Sequence, residues 1–153
     1  MVFEVEGQPY ACPIERIERL LRLADAVLQP ASQDGPPWEM GRFTIPGQAE
    51  GIAAVSLRVL WEMSPLLDLA AQNSQAILVV NCEGRQAALI VDRCRCVLSL
   101  LPTRLFRLSS ALKGLRGRAF RTALPWDGHL LVLLDLEELI EQMFSPTHVL
   151  SPL

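Results

Sequence analysis

Apolar residues alternate with polar or small ones at the start of the chain. Phe3 and Val5, then Tyr10 and Cys12, flank Gly7-Gln8-Pro9. Period two on both sides of a turn with Gly and Pro predicts a β-hairpin. The spacing then changes: Ile14, Ile17, Leu20, Leu21 and Ala24 fall on one stripe, so pattern alone predicts a short helix over 14–24. Residues 29–37, rich in proline, read as a loop. Strands are expected at 38–45 and 52–57, on either side of Pro46-Gly47-Gln48-Ala49-Glu50-Gly51. The stretch 58–72 fits neither period and breaks at Ser64-Pro65.

The signal strengthens beyond residue 75. Ala76–Cys82 and Ala87–Val91 are continuous apolar runs of strand length, joined by the turn Glu83-Gly84-Arg85-Gln86. Asp92-Arg93 interrupts, 94–101 resumes an extended apolar pattern, and 102–117 is irregular and basic. Arg118–Leu124 and His129–Leu134 form another hairpin across Pro125-Trp126-Asp127-Gly128, where Asp-Gly is a strong turn signal. Asp135 is placed to cap a helix, because its carboxylate can accept first-turn N–H groups, and Glu137 and Glu138 suit the positive helix end. Leu136, Leu139, Ile140, Met143 and Phe144 give that helix one apolar face, and Ser145-Pro146 stops it. Roughly nine short strands, no βαβ alternation and one terminal helix make the chain all-β, a barrel or sandwich.

Composition narrows the class. The 153 residues, 50% hydrophobic and 20% charged, suffice for one ordinary domain or two small subdomains sharing a core. No apolar run approaches the ~18 residues that span a bilayer. The N-terminus lacks the basic and apolar regions of a signal peptide, so a cytoplasmic location is expected, with no membrane insertion. A net charge of −3 excludes a generally basic nucleic-acid binder. The distribution says more: Arg93, Arg95, Arg104, Arg107, Lys113, Arg116, Arg118 and Arg121 occur in one stretch without an acidic residue. That stretch is either a solvated basic face or a docking surface for an acidic partner.

Candidate chemistry is sparse. His129 sits in a hairpin and His148 in a proline-rich tail, neither beside an acidic orienter or a nucleophile. The nucleophile elbow, the P-loop and the dinucleotide glycine fingerprint are all missing. No catalytic residue, metal site or cofactor is expected, and the chain reads as a non-enzyme. Cys12, Cys82, Cys94 and Cys96 do not resemble a disulfide framework. Cys94 and Cys96, two apart on a strand, share a face and could meet a metal or act as a redox pair. Without a second Cys/His pair, core packing is the simpler role. Trp126, beside Asp127-Gly128, either anchors a partner or covers a barrel end.

Residues 77–100, Ile-Leu-Val-Val-Asn-Cys-Glu-Gly-Arg-Gln-Ala-Ala-Leu-Ile-Val-Asp-Arg-Cys-Arg-Cys-Val-Leu-Ser-Leu, resemble the CheW-like domain of chemotaxis coupling proteins. That family has an apolar strand, a Gly turn, a strand ending in Val-Asp-x-Val and a further Val-leading strand. Residues 117–140 resemble its final hairpin and closing helix, and 3–17 its opening strand, turn and aromatic. The resemblance implies two intertwined five-stranded SH3-like β-barrels with a C-terminal helix. The subdomains are expected at 14–75 and at 76–135 plus the N-terminal hairpin, closed by helix 136–144. It also replaces the helix over 14–24 with a brief turn and a strand near 19–23.

In function, the resemblance implies a cytoplasmic adaptor for motility signalling, bridging chemoreceptor signalling tips to the regulatory domain of a CheA-type histidine kinase. Expected contact residues are Ile17, Arg19, Leu20 and Gln48 from the first barrel, and Val91, Arg93, Val97 and Leu98 from the second. The first barrel departs from the family pattern. Gln48 stands near the arginine of the family's Asn-Leu-Arg-Gly, Ser56 stands for an aspartate, and Arg19 stands where a glutamate is usual. These departures suggest an alternative role, a spacer that binds receptors without coupling the kinase.

Overall fold

A computed structural model describes residues 1–31, 33–36, 38–45, 47, 51–100, 105–108 and 119–144. In chain order the elements are β1 (Val2–Val5), β2 (Gln8–Ala11), β3 (Ile17–Arg22), β4 (Leu28–Gln29), β5 (Glu39–Phe43), β6 (Ile52–Ser56), α1 (Leu57–Leu60), α2 (Leu69–Asn73), β7 (Ala76–Cys82), β8 (Arg85–Val91), β9 (Arg93–Cys96), β10 (Phe106–Arg107), β11 (Phe120–Trp126), β12 (His129–Leu134) and α3 (Leu136–Phe144). They form two six-stranded sheets, ordered β3-β7-β8-β6-β5-β4 and β10-β11-β12-β2-β1-β9. The fold is the expected pair of SH3-like barrels with one C-terminal helix. The sixth strand of each sheet is a two-residue piece, β4 in the first and β10 in the second.

Three hairpins turn on two residues with positive φ: Glu6-Gly7, Glu83-Gly84 and Asp127-Gly128. Such turns match the right-handed strand twist, which explains the tight reversals. At the C-terminus, Asp135 Oδ1 accepts the Glu138 N–H at 3.1 Å and α3 buries Leu136, Leu139, Ile140 and Met143, as the sequence predicts, whereas Phe144, expected on the same face, ends the helix exposed. Ser145 and Pro146 lie outside the described residues.

The helical stripe over 14–24 does not make a helix. Ile14–Arg16 form one 3₁₀ turn after Pro13, and β3 then pairs with β7. Ile17 pairs with Val80 and Arg19 with Val79, so Glu18 is an extra residue, a β-bulge. The bulge flips the strand's parity. Ile17 reaches one core and Leu21 another, four residues apart, which imitates helical spacing.

The division expected at residue 75 also differs from the pairing. β7 and β8 bond to β3 and β6, so the first sheet spans 17–91 and the second joins 2–11 to 93–134. Each run in β7 and β8 is apolar throughout because both faces are covered. Ile77, Val79, Ala88 and Ile90 fill the first barrel, while Leu78, Val80, Leu89 and Val91 face a core shared by both sheets. Phe3, Val5 and Tyr10 of the second sheet enter the same shared core, with Trp61 and α3. Among the described residues the second barrel's own buried cluster is Val2, Ala11, Leu124 and Leu131.

Candidate docking surfaces

Strands β3 and β9 end their sheets, each bonded on one edge only among the described residues. An open edge offers unpaired backbone groups and bare side-chain flanks to a partner. On β3, Leu20 stands opposite Leu78 yet is 47% exposed, because among the described residues no strand pairs with β3 on its other edge. Arg19 and Arg22 flank it and are exposed. Glu18, the bulge residue, is occupied structurally: its carboxylate accepts from Asn81 Nδ2 at 2.5 Å and Gln86 Nε2 at 2.8 Å, tying the edge to the β7–β8 hairpin.

On β9, Arg93 and Arg95 both reach Glu4 of β1, at 3.4 Å and 2.9 Å. The guanidinium of Arg95 also lies 5.8 Å from the Trp126 ring centre. The basic character of this part of the stretch is thus partly neutralised. Trp126 is half-buried and packs against the second barrel's cluster, so it covers a barrel end. Of the other basic residues, Arg104, Lys113, Arg116 and Arg118 lie outside the described residues.

Beyond β9, Val97 is 55% exposed and Leu98 is half-buried. Leu98 helps line an apolar groove of about 480 Å³ between β1, β2 and β12, with Val2, Ala11, Leu100 and Leu133 on its walls. Glu15 and Asp135 are its carboxylates.

The expected contact residues therefore divide. Arg19, Leu20, Arg93 and Val97 are open to a partner, and Leu98 contributes to a groove. Ile17 is half-buried and packs on the shared core. Val91 is 1% exposed and cannot touch a partner, because β8 is central in its sheet and covered on both faces. Gln48 lies outside the described residues. The surfaces do not merge into one patch built on a single strand; β3 belongs to the first sheet and β9 to the second.

The cysteines divide as well. Cys12 and Cys82 are buried, Cys94 is half-buried and Cys96 is exposed. Burial pushes the Cys12 and Cys94 thiols up to about 11 and raises that of Cys82. Protonated thiols are poor nucleophiles and poor metal ligands. Cys94 and Cys96 do not share a face: Cys94 pairs with Phe3 and Cys96 with Val2, so Arg95 is a bulge between them. Phe3 and Val2 point into different clusters. Among the described residues no three metal-ligating side chains converge. His129 is exposed at the start of β12, and His148 lies outside the described residues.

Sequence reasoning missed one feature, the pairing of Arg58 with Asp92. Arg58 Nε and Nη2 donate to the two carboxylate oxygens at 2.7 Å and 2.6 Å, and Nη1 donates to the Ser64 carbonyl at 2.7 Å. The hydrogen bonds to Asp92 hold the guanidinium above its ordinary pKa, against the opposing effect of burial. Asp92 Oδ2 also accepts the Glu6 N–H at 2.7 Å, and the Asp92 N–H donates to the Glu4 carbonyl at 3.0 Å. The only sequence hint is two charges, 34 residues apart, each beside a strongly apolar run. Ser56 caps α1 by accepting the Val59 N–H at 3.4 Å.

A family model for the CheW-like domain matches residues 1–144. Among solved structures, the scaffolding protein TtCheW from Thermoanaerobacter tengcongensis is similar in fold, with a TM-score of 0.75 at 16% identity, covering 96% of this chain and 92% of that one. No curated protein matches the chain significantly. Among the described residues no helix is long and apolar enough to cross a membrane.

Proposed function

Because this chain belongs to the CheW-like domain family, we propose that it is a non-catalytic cytoplasmic adaptor, linking chemoreceptor signalling tips to the regulatory domain of a CheA-type histidine kinase. The observation that carries the reading is the open edge of β3, where Leu20 is exposed between Arg19 and Arg22. The exposed side chains at Arg93 and Val97 and the groove beside Leu98 supply a second surface on the other barrel. Docking of this kind draws its affinity from buried apolar anchors and its selectivity from charge. The test is titration calorimetry with a receptor-tip peptide bundle and, separately, with the kinase regulatory domain. The adaptor reading expects both to bind, and Leu20→Asp to weaken one of them without unfolding the protein. Absence of binding to either overturns it.

A second reading, a spacer that binds receptors without coupling the kinase, draws on the exposed arginine at 19 where the family usually has glutamate. A mismatched charge against a conventional partner costs about 2–5 kcal/mol. The double variant Arg19→Glu, Gln48→Arg separates the two readings. Kinase binding that is weak in the wild type and restored in the variant favours the spacer. Strong wild-type binding that the variant weakens favours the adaptor with a co-adapted kinase.

A further inference from the structure

The chain passes from the first sheet to the second at Asp92, between the end of β8 and the start of β9. At that crossing the carboxylate holds Arg58, on the helix that follows β6 of the first sheet, and the Glu6 N–H, at the turn of the second sheet's hairpin. Both charged side chains are nearly buried, 11% and 14% exposed, and the guanidinium's remaining bond goes to the Ser64 carbonyl. Three separate segments are therefore fixed relative to one another by one planar, two-pronged contact.

Apart from the backbone bond between the Asp92 N–H and the Glu4 carbonyl, the described seam between the sheets is mainly apolar packing in the shared core. Apolar contact is largely non-directional, and cores built from it lose uniqueness before they lose stability. A buried ion pair is the reverse: poor as net stabilisation, strict in geometry. We propose that Arg58–Asp92 is a positioning pair that sets the angle between the two barrels. Strand β3 lies on one sheet and β9 on the other, so the pair also sets the relation between the two docking surfaces. That consequence rests on the proposed function; the orientation itself does not.

The test uses the full chain, labelled with nitrogen-15 and weakly aligned in solution, with no partner present. In the wild type, N–H residual dipolar couplings from β5–β8 and from β1, β2, β11 and β12 are expected to fit one alignment frame. In Arg58→Met/Asp92→Leu, which removes both charges and keeps apolar volume, the cooperative thermal transition is expected to persist. The single-frame fit is expected to be lost, each sheet requiring its own frame. A double variant whose sheets still share the wild-type frame overturns the proposal. If that variant does not fold, Arg58→Lys decides: lysine keeps the charge but not the fork, and an unchanged frame overturns the proposal while a changed one supports it. A merely stabilising pair would move the melting midpoint and leave the frame intact. Because no partner is used, failure of the adaptor reading would not be mistaken for failure of this one.

Discussion

The first sheet is drawn from one continuous stretch, 17–91, whereas the second joins an N-terminal hairpin at 2–11 to strands from 93–134. The first has two central strands covered on both faces, and among the described residues eight buried side chains fill its own barrel against four in the second's own cluster. Loop closure between distant segments must precede the contacts that reward it. The second barrel therefore leans on the shared core and on the polar contacts at the crossing. The comparison implies that the second sheet opens before the first, and that the seam decides how far apart the two events lie.

Removing Asp92 should break this relation most. Asp92→Ala leaves Arg58 buried without its partner, a change expected to cost about 3–5 kcal/mol in urea unfolding. Hydrogen exchange in the variant should rise first at β1, β2 and β9, while β7 and β8 stay protected. Uniform loss across both sheets would mean that they do not differ in local stability.

Raising the pH should act next, again through the second sheet. Cys12, just after β2, and Cys94, on β9, have folded pKa values of about 11 against an ordinary 9.0. A raised acid pKa gives stability that is present below pH 9 and lost as pH climbs toward 11. Chemical unfolding between those limits should show falling stability, reduced in a Cys12→Ala/Cys94→Ala variant. In the native protein at pH 8, a thiol reagent should label Cys96 first. Fast labelling of Cys12 would contradict its burial.

A smaller effect is expected at an edge of the first sheet. A Cβ at Gly41, where φ is 149°, would lie 2.4 Å from the Gln29 carbonyl oxygen. Gly41→Ala should cost about 1–3 kcal/mol through local strain. Exchange should increase at β4 and β5 and stay unchanged in the second sheet. The smallest change should be favourable. Glu62 ends α1 with φ of 57°, and the Met63 N–H bonds back to the Arg58 carbonyl at 2.7 Å. Glu62→Gly relieves the left-handed strain and should stabilise by up to about 1 kcal/mol in thermal melts.

Local features of this fold are legible in the chain. The three turns announce themselves by a glycine that takes the second positive-φ position after an acidic residue, although the first lies at Glu6-Gly7, with Gln8 and Pro9 already in β2. The apolar runs of β7 and β8 reveal that both faces are covered, and the Asp135 cap and the stripe of α3 lie within ten residues of each other. What stays hidden is non-local or depends on one inserted residue. A continuous apolar run does not say which neighbours it bonds to, so the pairing of β7 with β3 and of β8 with β6 is not legible in the chain. The bulge at Glu18 disguised β3 as a helix, and the bulge at Arg95 broke the common face expected of Cys94 and Cys96. Both bulges lie on the edge strands that carry the candidate contacts. Val91, expected as a contact from the family resemblance, is buried because two cores meet at β8, which its place at the end of an apolar run does not reveal.

The parallel pairing of β12 with β2, Val132 beside Tyr10 and Leu133 beside Ala11, carries a consequence for biosynthesis. The hairpin of β1 and β2 is made before the rest of this domain, and one of its lateral partners, β12, is made only after every strand of the first sheet. At about 5–20 residues per second, the hairpin waits on the order of ten seconds with its edges uncovered. The first sheet can close during that interval, since all its strands are already synthesised. Nascent chains stalled with residue 91 just clear of the ribosome should thus carry a formed first barrel and an exposed, chaperone-accessible hairpin.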